Sequence, residues 1–274
     1  MEHVLRQTWA FIFRDLQLSK RYLSWIVVFT FYAVVNSATI ALIGVAAGDR
    51  RLTMILIVGV LLWGFLSVLF QEIANSITYE RWEGTLEYTF MAPVSRLVHL
   101  FGVSLWAVVY SVIRMFMIVV GIMLFVDLDL SGANVGGLLV VLLVSSMAFI
   151  GLGLMAAVLP VLSPERGAEA TNIFQGILLL ISGVYYPVEV LPGWLQPFAA
   201  ISPATYALSA CRKLIGVGEG ASMSEPLVGA SLSAVVPELL VLALMGIVMI
   251  PTGLYVFGYV ERWAKRTGKL KRTG

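Results

Sequence analysis

The carboxylates that could do chemistry here are concentrated in one polar stretch, residues 77–96. Glu80, Glu83 and Glu87 recur there at i, i+3 and i+7, close to one stripe of a helix. Trp82, Leu86 and Phe90 recur at i, i+4 and i+8, on another stripe. Gly84 should loosen such a helix, and Pro93 should end it near Met91. The expectation is a short helix with an acidic and an apolar face, lying along a membrane surface. Physical reasoning alone weighs two uses equally: a solvated linker, or a surface on which another protein docks. No other chemistry competes with this segment. A phosphate-binding loop needs G-x-x-x-x-G-K-[ST]. The nearest approach is Gly268-Lys269, followed by Leu270 and with Trp263 where the first glycine belongs. There is no nucleophile elbow and no H-E-x-x-H. Cys211 stands alone, and His3 and His99 lie too far apart to suggest a metal site, so both are read as ordinary interfacial residues.

The elements that position the segment follow from composition. Of 274 residues, 59% are hydrophobic and 12% charged, against about 25% charged in soluble domains. This is the composition of an all-α polytopic membrane protein. Six runs reach the roughly 20 apolar residues that a spanning helix needs: 23–47, 52–74, 97–126, 135–162, 171–184 with its continuation, and 235–260. The fifth runs into a proline-rich stretch. No cleavable signal peptide is expected, because the first apolar run, about 25 residues, exceeds a signal core of about 7–15.

Loop charge sets the orientation. With the N-terminus inside, thirteen of the eighteen Lys and Arg residues fall on the inner side. Arg50, Arg51, Arg212 and Lys213 fall outside, and Arg114 falls within the third span. Six spans then leave both termini in the cytoplasm and place segment 77–96 there too. The +2 net charge suggests no nucleic-acid partner.

Residues 1–22 read as an amphipathic helix in the membrane interface. Leu5, Trp9, Phe13 and Leu16, with Val4, Thr8 and Ile12, share a face; Arg6, Arg14, Gln17 and Lys20 lie off it. The alternative is a plain extension of the first span. Residues 185–234 are apolar but carry Pro187, Pro192, Pro197 and Pro203. Backbone of that kind survives at membrane depth only against protein or a cavity. Short external or re-entrant helices are expected, one of them near 204–215, with Ser202 as N-cap, Pro203 at the first position and Gly216 as C-cap.

Two stretches resemble the type-2 ABC exporter permeases. Tyr79-Glu-Arg-Trp-Glu-Gly-Thr-Leu-Glu-Tyr-Thr-Phe-Met-Ala-Pro-Val-Ser-Arg96 is similar to that family's acidic, Gly-Thr-Leu-Glu, Pro-Val-Ser-Arg segment. Ile201-Ser-Pro-Ala-Thr-Tyr-Ala-Leu-Ser-Ala-Cys-Arg212 resembles its serine-proline, threonine-tyrosine, arginine segment. The resemblance extends over the whole chain in span count and length. It implies a single permease domain, 1–274, in the cytoplasmic membrane. Segment 77–96 would be a coupling helix seated in a separate ATP-binding subunit, which would hold the ATP and magnesium. A second permease copy or a related permease would complete a dimer. Carried over, Glu80, Trp82, Glu83, Gly84, Thr85, Leu86 and Glu87 form the coupling surface. The second inner loop, with Glu165, Arg166 and Glu169, supports it, or is a plain turn. No cofactor and no enzymatic activity are expected on this chain.

Ionisable residues inside spans are costly and point to function or pairing. Arg114 lies roughly 25 Å along its helix from Leu97 at about 1.5 Å per residue. It is read either as a pathway residue or as a structural, snorkelling one. Glu72, near the inner end of the second span, does not match it in depth, and Glu238 is read as interfacial. Tyr185, Tyr186, Trp194, Phe198 and Tyr206 crowd the outer segment, as an exit gate, a sugar-stacking surface or an aromatic belt. The expected cargo is a hydrophobic small molecule, drug or lipid. A lipid-linked glycan is the alternative within the fold; a membrane enzyme or an uncoupled regulator lies outside it.

Overall fold

The computed structural model describes residues 2–127, 132–163, 166–217 and 228–267, and among them every regular element is helical. Helix α1 (Glu2–Arg21) is parted from α2 (Leu23–Ala46) only by Tyr22. Helix α3 (Arg50–Ala74) starts at Asp49, whose carboxylate accepts from the backbone N–H of Arg51 at 2.8 Å and of Leu52 at 3.1 Å. Those two bonds cap the helix and explain the sharp turn back from α2. The polar segment contains α4 (Ser76–Trp82) and α5 (Leu86–Met91). Then come α6 (Arg96–Ile122), α7 (Val135–Ala156), α8 (Val158–Leu162) and α9 (Gly167–Ile181). Short α10 (Gln196–Ala199) and α11 (Pro203–Ile215) precede the long α12 (Val236–Thr267).

Five stretches are long and apolar enough to cross a membrane: α2, α3, α6, α7 with α8, and α12 with the turn before it. The fifth expected span is shorter than the rest. Helix α9 has 15 residues, about 22 Å of helix against roughly 30 Å of hydrocarbon. Its chain turns at Gly183, in the left-handed conformation at φ 66°.

The core sits around α3, which packs against α2, α6, α7, α9 and α11. Phe65, Leu66, Leu69, Phe70 and Ile73 on it are fully buried. The most extensive helix pair is α7 with α12. A Cβ placed on Gly151 of α7 would lie 2.5 Å from the Met249 Cβ and 2.6 Å from its carbonyl carbon. The backbones approach that closely because dispersion, not hydrophobicity, holds helices together in lipid. Outward faces of α2 (Phe29, Phe31, Tyr32) and α12 (Leu240, Leu244, Ile247, Tyr255) stay apolar and exposed, as a bilayer-facing surface requires.

Helix α11 closes the end remote from α4. It begins with Pro203 and ends at Gly216, φ 83°. Ser202 is the N-cap as expected, but its hydroxyl bonds the Ser182 hydroxyl at 2.7 Å instead of the helix N-terminus. The Arg212 guanidinium donates to the carbonyls of Gly183 at 3.0 Å and Val184 at 2.9 Å, which covers the end of α9. Glu238, read as interfacial, is buried and takes Lys213 and Ser209 as partners.

Replacing Gly151 by Leu should separate α7 from α12 and cost about 1–3 kcal/mol of overpacking. Melting of the detergent-solubilised protein should shift down accordingly, whereas Gly258→Ala, where a Cβ meets nothing within 4 Å, should leave it unchanged.

Candidate functional site

The polar segment is two helices with a sharp bend, not one loosened helix. Helix α4 stops at Trp82 because Gly84 takes φ 71°. The Thr85 N–H then reaches back to the Glu80 carbonyl at 2.9 Å, the six-residue bond of a Schellman cap. The Thr85 hydroxyl adds a second bond to the same carbonyl at 3.3 Å. Gly84 is therefore needed for the bend itself. Helix α5 ends at Met91, two residues before Pro93.

The three carboxylates do not form one outward stripe. Glu80 turns inward and is only 4% exposed. Its Oε1 accepts from Arg14 Nη1 at 2.7 Å and lies 2.9 Å from His99 Nε2. Arg14 also bonds Asp15 at 2.9 Å, and its guanidinium stands over the Phe11 ring. The Phe11 ring packs on His99 with centroids 4.7 Å apart. Thr8 and Phe11 meet α6 at Gly102, where a Cβ would approach the Phe11 Cβ to 2.8 Å. This one cluster joins α1, α4 and α6. One expectation is corrected by it: His99 is not interfacial but 1% exposed. Arg14, off the apolar face of α1 as expected, turns toward the protein. The apolar residues Leu5, Trp9 and Phe13 point away from the protein.

Glu83 lies higher and half-buried. It accepts from the Tyr22 hydroxyl and pairs with Arg21 at 3.6 Å. Trp82 is 70% exposed, Tyr88 79% and Met91 84%. The side chains of Leu86, Glu87 and Phe90 lie outside the described part of the structure, as does Glu165. Arg166 and Glu169 are exposed at the start of α9. Glu169 is in the first turn, where a carboxylate suits the helix dipole. Helix α8, just before this loop, packs on α4, so both loops share one end of the molecule.

The pathway candidates do not converge. Arg114 donates to the Phe29 carbonyl at 3.2 Å and bonds Tyr110. Tyr186 donates to the Leu180 carbonyl, and Tyr206 to the Ala200 carbonyl at 3.0 Å. Tyr185 is half-buried against the core. The three tyrosines sit at the α11 end, remote from Arg114.

Residues 3–215 match the family model described as ABC-2 type transporter. The chain belongs to that family, a family of membrane permeases without an ATPase site of their own. It is 31% identical over 101 residues to the linearmycin resistance permease protein LnrN of Bacillus subtilis, covering 36% of this chain and 26% of that protein. It is 34% identical over 61 residues to the probable doxorubicin resistance ABC transporter permease protein DrrC of Mycobacterium tuberculosis, covering 22% of this chain and 21% of that protein. The matched stretches thus span about a quarter or less of those relatives.

Burial alone would raise the Glu80 carboxyl. The bonds from His99 and Arg14 outweigh it and hold the carboxyl below its usual 4.5. A lowered folded value stabilises the fold fully above the unfolded value, and the gain is lost as pH falls through the folded one. Melting temperature should therefore drop on acidification below about pH 4.5, with a shallower drop in Glu80→Gln. At neutral pH, Glu80→Ala leaves Arg14 and His99 facing a void and should cost about 3–5 kcal/mol. Limited trypsin digestion should then cut at Arg6 or Lys20 first, as α1 comes away from α6.

Proposed function

We propose that this chain is the membrane permease subunit of an ATP-driven exporter in the cytoplasmic membrane, with both termini in the cytoplasm. The bend between α4 and α5 is its coupling surface for an ATP-binding subunit. The observation that carries this is the exposure of Trp82, Tyr88 and Met91 on a segment whose other side is fixed by a buried ion pair. A solvated linker needs neither large exposed apolar side chains nor a rigid anchor. Glu83, Gly84, Thr85, Leu86 and Glu87 belong to the same surface, and Arg166 and Glu169, with Glu165, flank it. Glu80 is assigned differently: it positions the surface and does not touch the partner.

In the complex, two permease chains, alike or related, stand between two ATP-binding subunits. Closure of those subunits on ATP and magnesium presses α4 and α5. Glu80 passes the push to α1 through Arg14 and to α6 through His99. The spans tilt, and a pathway between the permeases opens outward. The cargo is a hydrophobic small molecule, drug or lipid. The resistance proteins with which the chain shares its aligned stretches support that class, as does the apolar character of its outward faces.

Two measurements test this. Purified from its native host, the chain should bring an ATP-binding subunit with it. Trp82→Ala together with Glu83→Gln and Glu87→Gln should reduce that recovery about tenfold, and undiminished recovery with normal stimulated ATPase activity refutes the coupling assignment. Single cysteines at Arg50 and Lys265 should react with an impermeant maleimide from opposite sides of sealed vesicles; labelling from one side refutes the topology.

A further inference from the structure

Arg96 is the first residue of α6, and Glu261 lies near the end of α12. Their side chains meet at 3.2 Å and are 20% and 10% exposed. The extensive contacts of α6 are with α1, α2 and α3, and those of α12 are with α7, α8 and α11. The pair therefore joins two groups of helices. A cation at the first position of a helix opposes the helix dipole, and the Glu261 carboxylate offsets that cost. Each partner also has a second partner on its own helix. Glu261 pairs with Lys265 at 2.8 Å, one turn on. Arg96 Nη1 lies 3.3 Å from His99 Nδ1. A guanidinium has no lone pair to offer, so Nδ1 accepts. The imidazole is then neutral and carries its proton on Nε2, which donates to Glu80. Glu80 is placed differently, because its partners Arg14 and His99 both belong to other helices. Parting Glu80 from them strands a buried charge. Parting Arg96 from Glu261 leaves Arg96 with His99 and Glu261 with Lys265, and neither charge is stranded.

We propose that the Arg96–Glu261 pair is a releasable latch, which holds α6 to α12 at the end carrying the coupling surface and opens when that surface is pushed. Its opening on coupling rests on the permease reading above; the latch itself does not. A displacement of α4 reaches α6 through Glu80 and His99, and His99 lies one turn from Arg96 on the same helix. The bond that yields is the one with a stand-in on each side. Exchange of partners within each helix keeps the closed and open arrangements close in energy, as a two-state element requires. Arg96 and Glu261 are thus positioning residues: they set where the end of α6 stands against α12 and touch neither cargo nor nucleotide.

The test uses the full chain in detergent with Cys211→Ala, carrying nitroxide labels at Leu97→Cys and Arg262→Cys, both exposed positions. Pulsed electron resonance then reads the separation of α6 from α12. Glu261→Gln should raise the longer-distance population about fivefold or more. Lys265→Gln, which removes only the stand-in partner of Glu261, should lower that population. A pair that merely stabilises the fold would shift melting in these variants without moving the distance in opposite directions. An unchanged distribution in Glu261→Gln, or equal lengthening by Glu261→Gln and Lys265→Gln, overturns the latch. If Glu261→Gln does not fold, Arg96→Gln at the more exposed partner replaces it in the same comparison. In the complex recovered with its ATP-binding subunit, ATP and magnesium should move the unsubstituted pair to the longer distance. An unchanged distance in a complex that hydrolyses ATP overturns opening on coupling. Failure to recover that subunit, with a Glu261-dependent distance in the chain alone, removes the coupling reading and leaves the latch.

Discussion

A backbone carbonyl left without a partner in hydrocarbon costs several kcal/mol, and one apolar helix of this protein is shorter than hydrocarbon is thick. Helix α9 has 15 residues, and the chain turns at Gly183. The carbonyls of Gly183 and Val184 need donors, and Arg212 supplies both. That requirement fixes where α11 must lie. Its polar neighbours then follow: Ser202 meets Ser182, Lys213 and Ser209 meet Glu238, and the Leu214 carbonyl receives the Asn134 N–H at 3.0 Å. The conformation that crowds α3 against this turn has the same origin, since a Cβ on Gly59 would meet the Val184 carbonyl oxygen at 2.3 Å.

The opposite end is governed by a charge, not by backbone. A carboxylate buried as deeply as Glu80 is tolerable only when its partners are in place. Arg14 and His99 come from elements on either side of it, so α1 cannot leave and α4 cannot turn without exposing an uncompensated group. Helix α1 is thereby fixed by three kinds of contact: the ion pair, the Phe11–His99 ring contact and the close approach at Gly102. Its apolar residues Leu5, Trp9 and Phe13 remain exposed.

Periodicity and loop charge suffice to read the helical class, the long spans and the amphipathic first helix, because each is a local pattern. The end of α5 before Pro93 and of α11 at Gly216 are legible for the same reason. What the pattern does not carry is pairing across sequence distance. Glu80 and Glu87 look equivalent on a helical wheel; only the fold shows that Glu80 meets His99 and an arginine 66 residues away. Arg14 reads only as a charge off the apolar face of its helix for the same reason, and His99 as an isolated histidine. A polar residue within the first helix and a histidine one turn into the third span were the available hints. The break at Gly84 was within reach: a glycine after seven helical residues, followed by threonine, is a plausible left-handed cap as much as a weak point in a longer helix.

These two ends differ in what they allow to move. The α11 end is tied by many bonds to several helices, and its tyrosine hydroxyls are spent on backbone carbonyls. The α4 end is tied deeply at Glu80, while Trp82, Tyr88 and Met91 on either side of Gly84 stand clear. A force applied to those side chains cannot be absorbed by stretching the buried ion pair, because separation leaves a desolvated carboxylate. It must instead be shared among α1, α3 and α6, which α4 joins through Glu80 and through the single residue, Asn75, that parts it from α3. Helices α7 and α12, locked at Gly151, form the body against which that group would move.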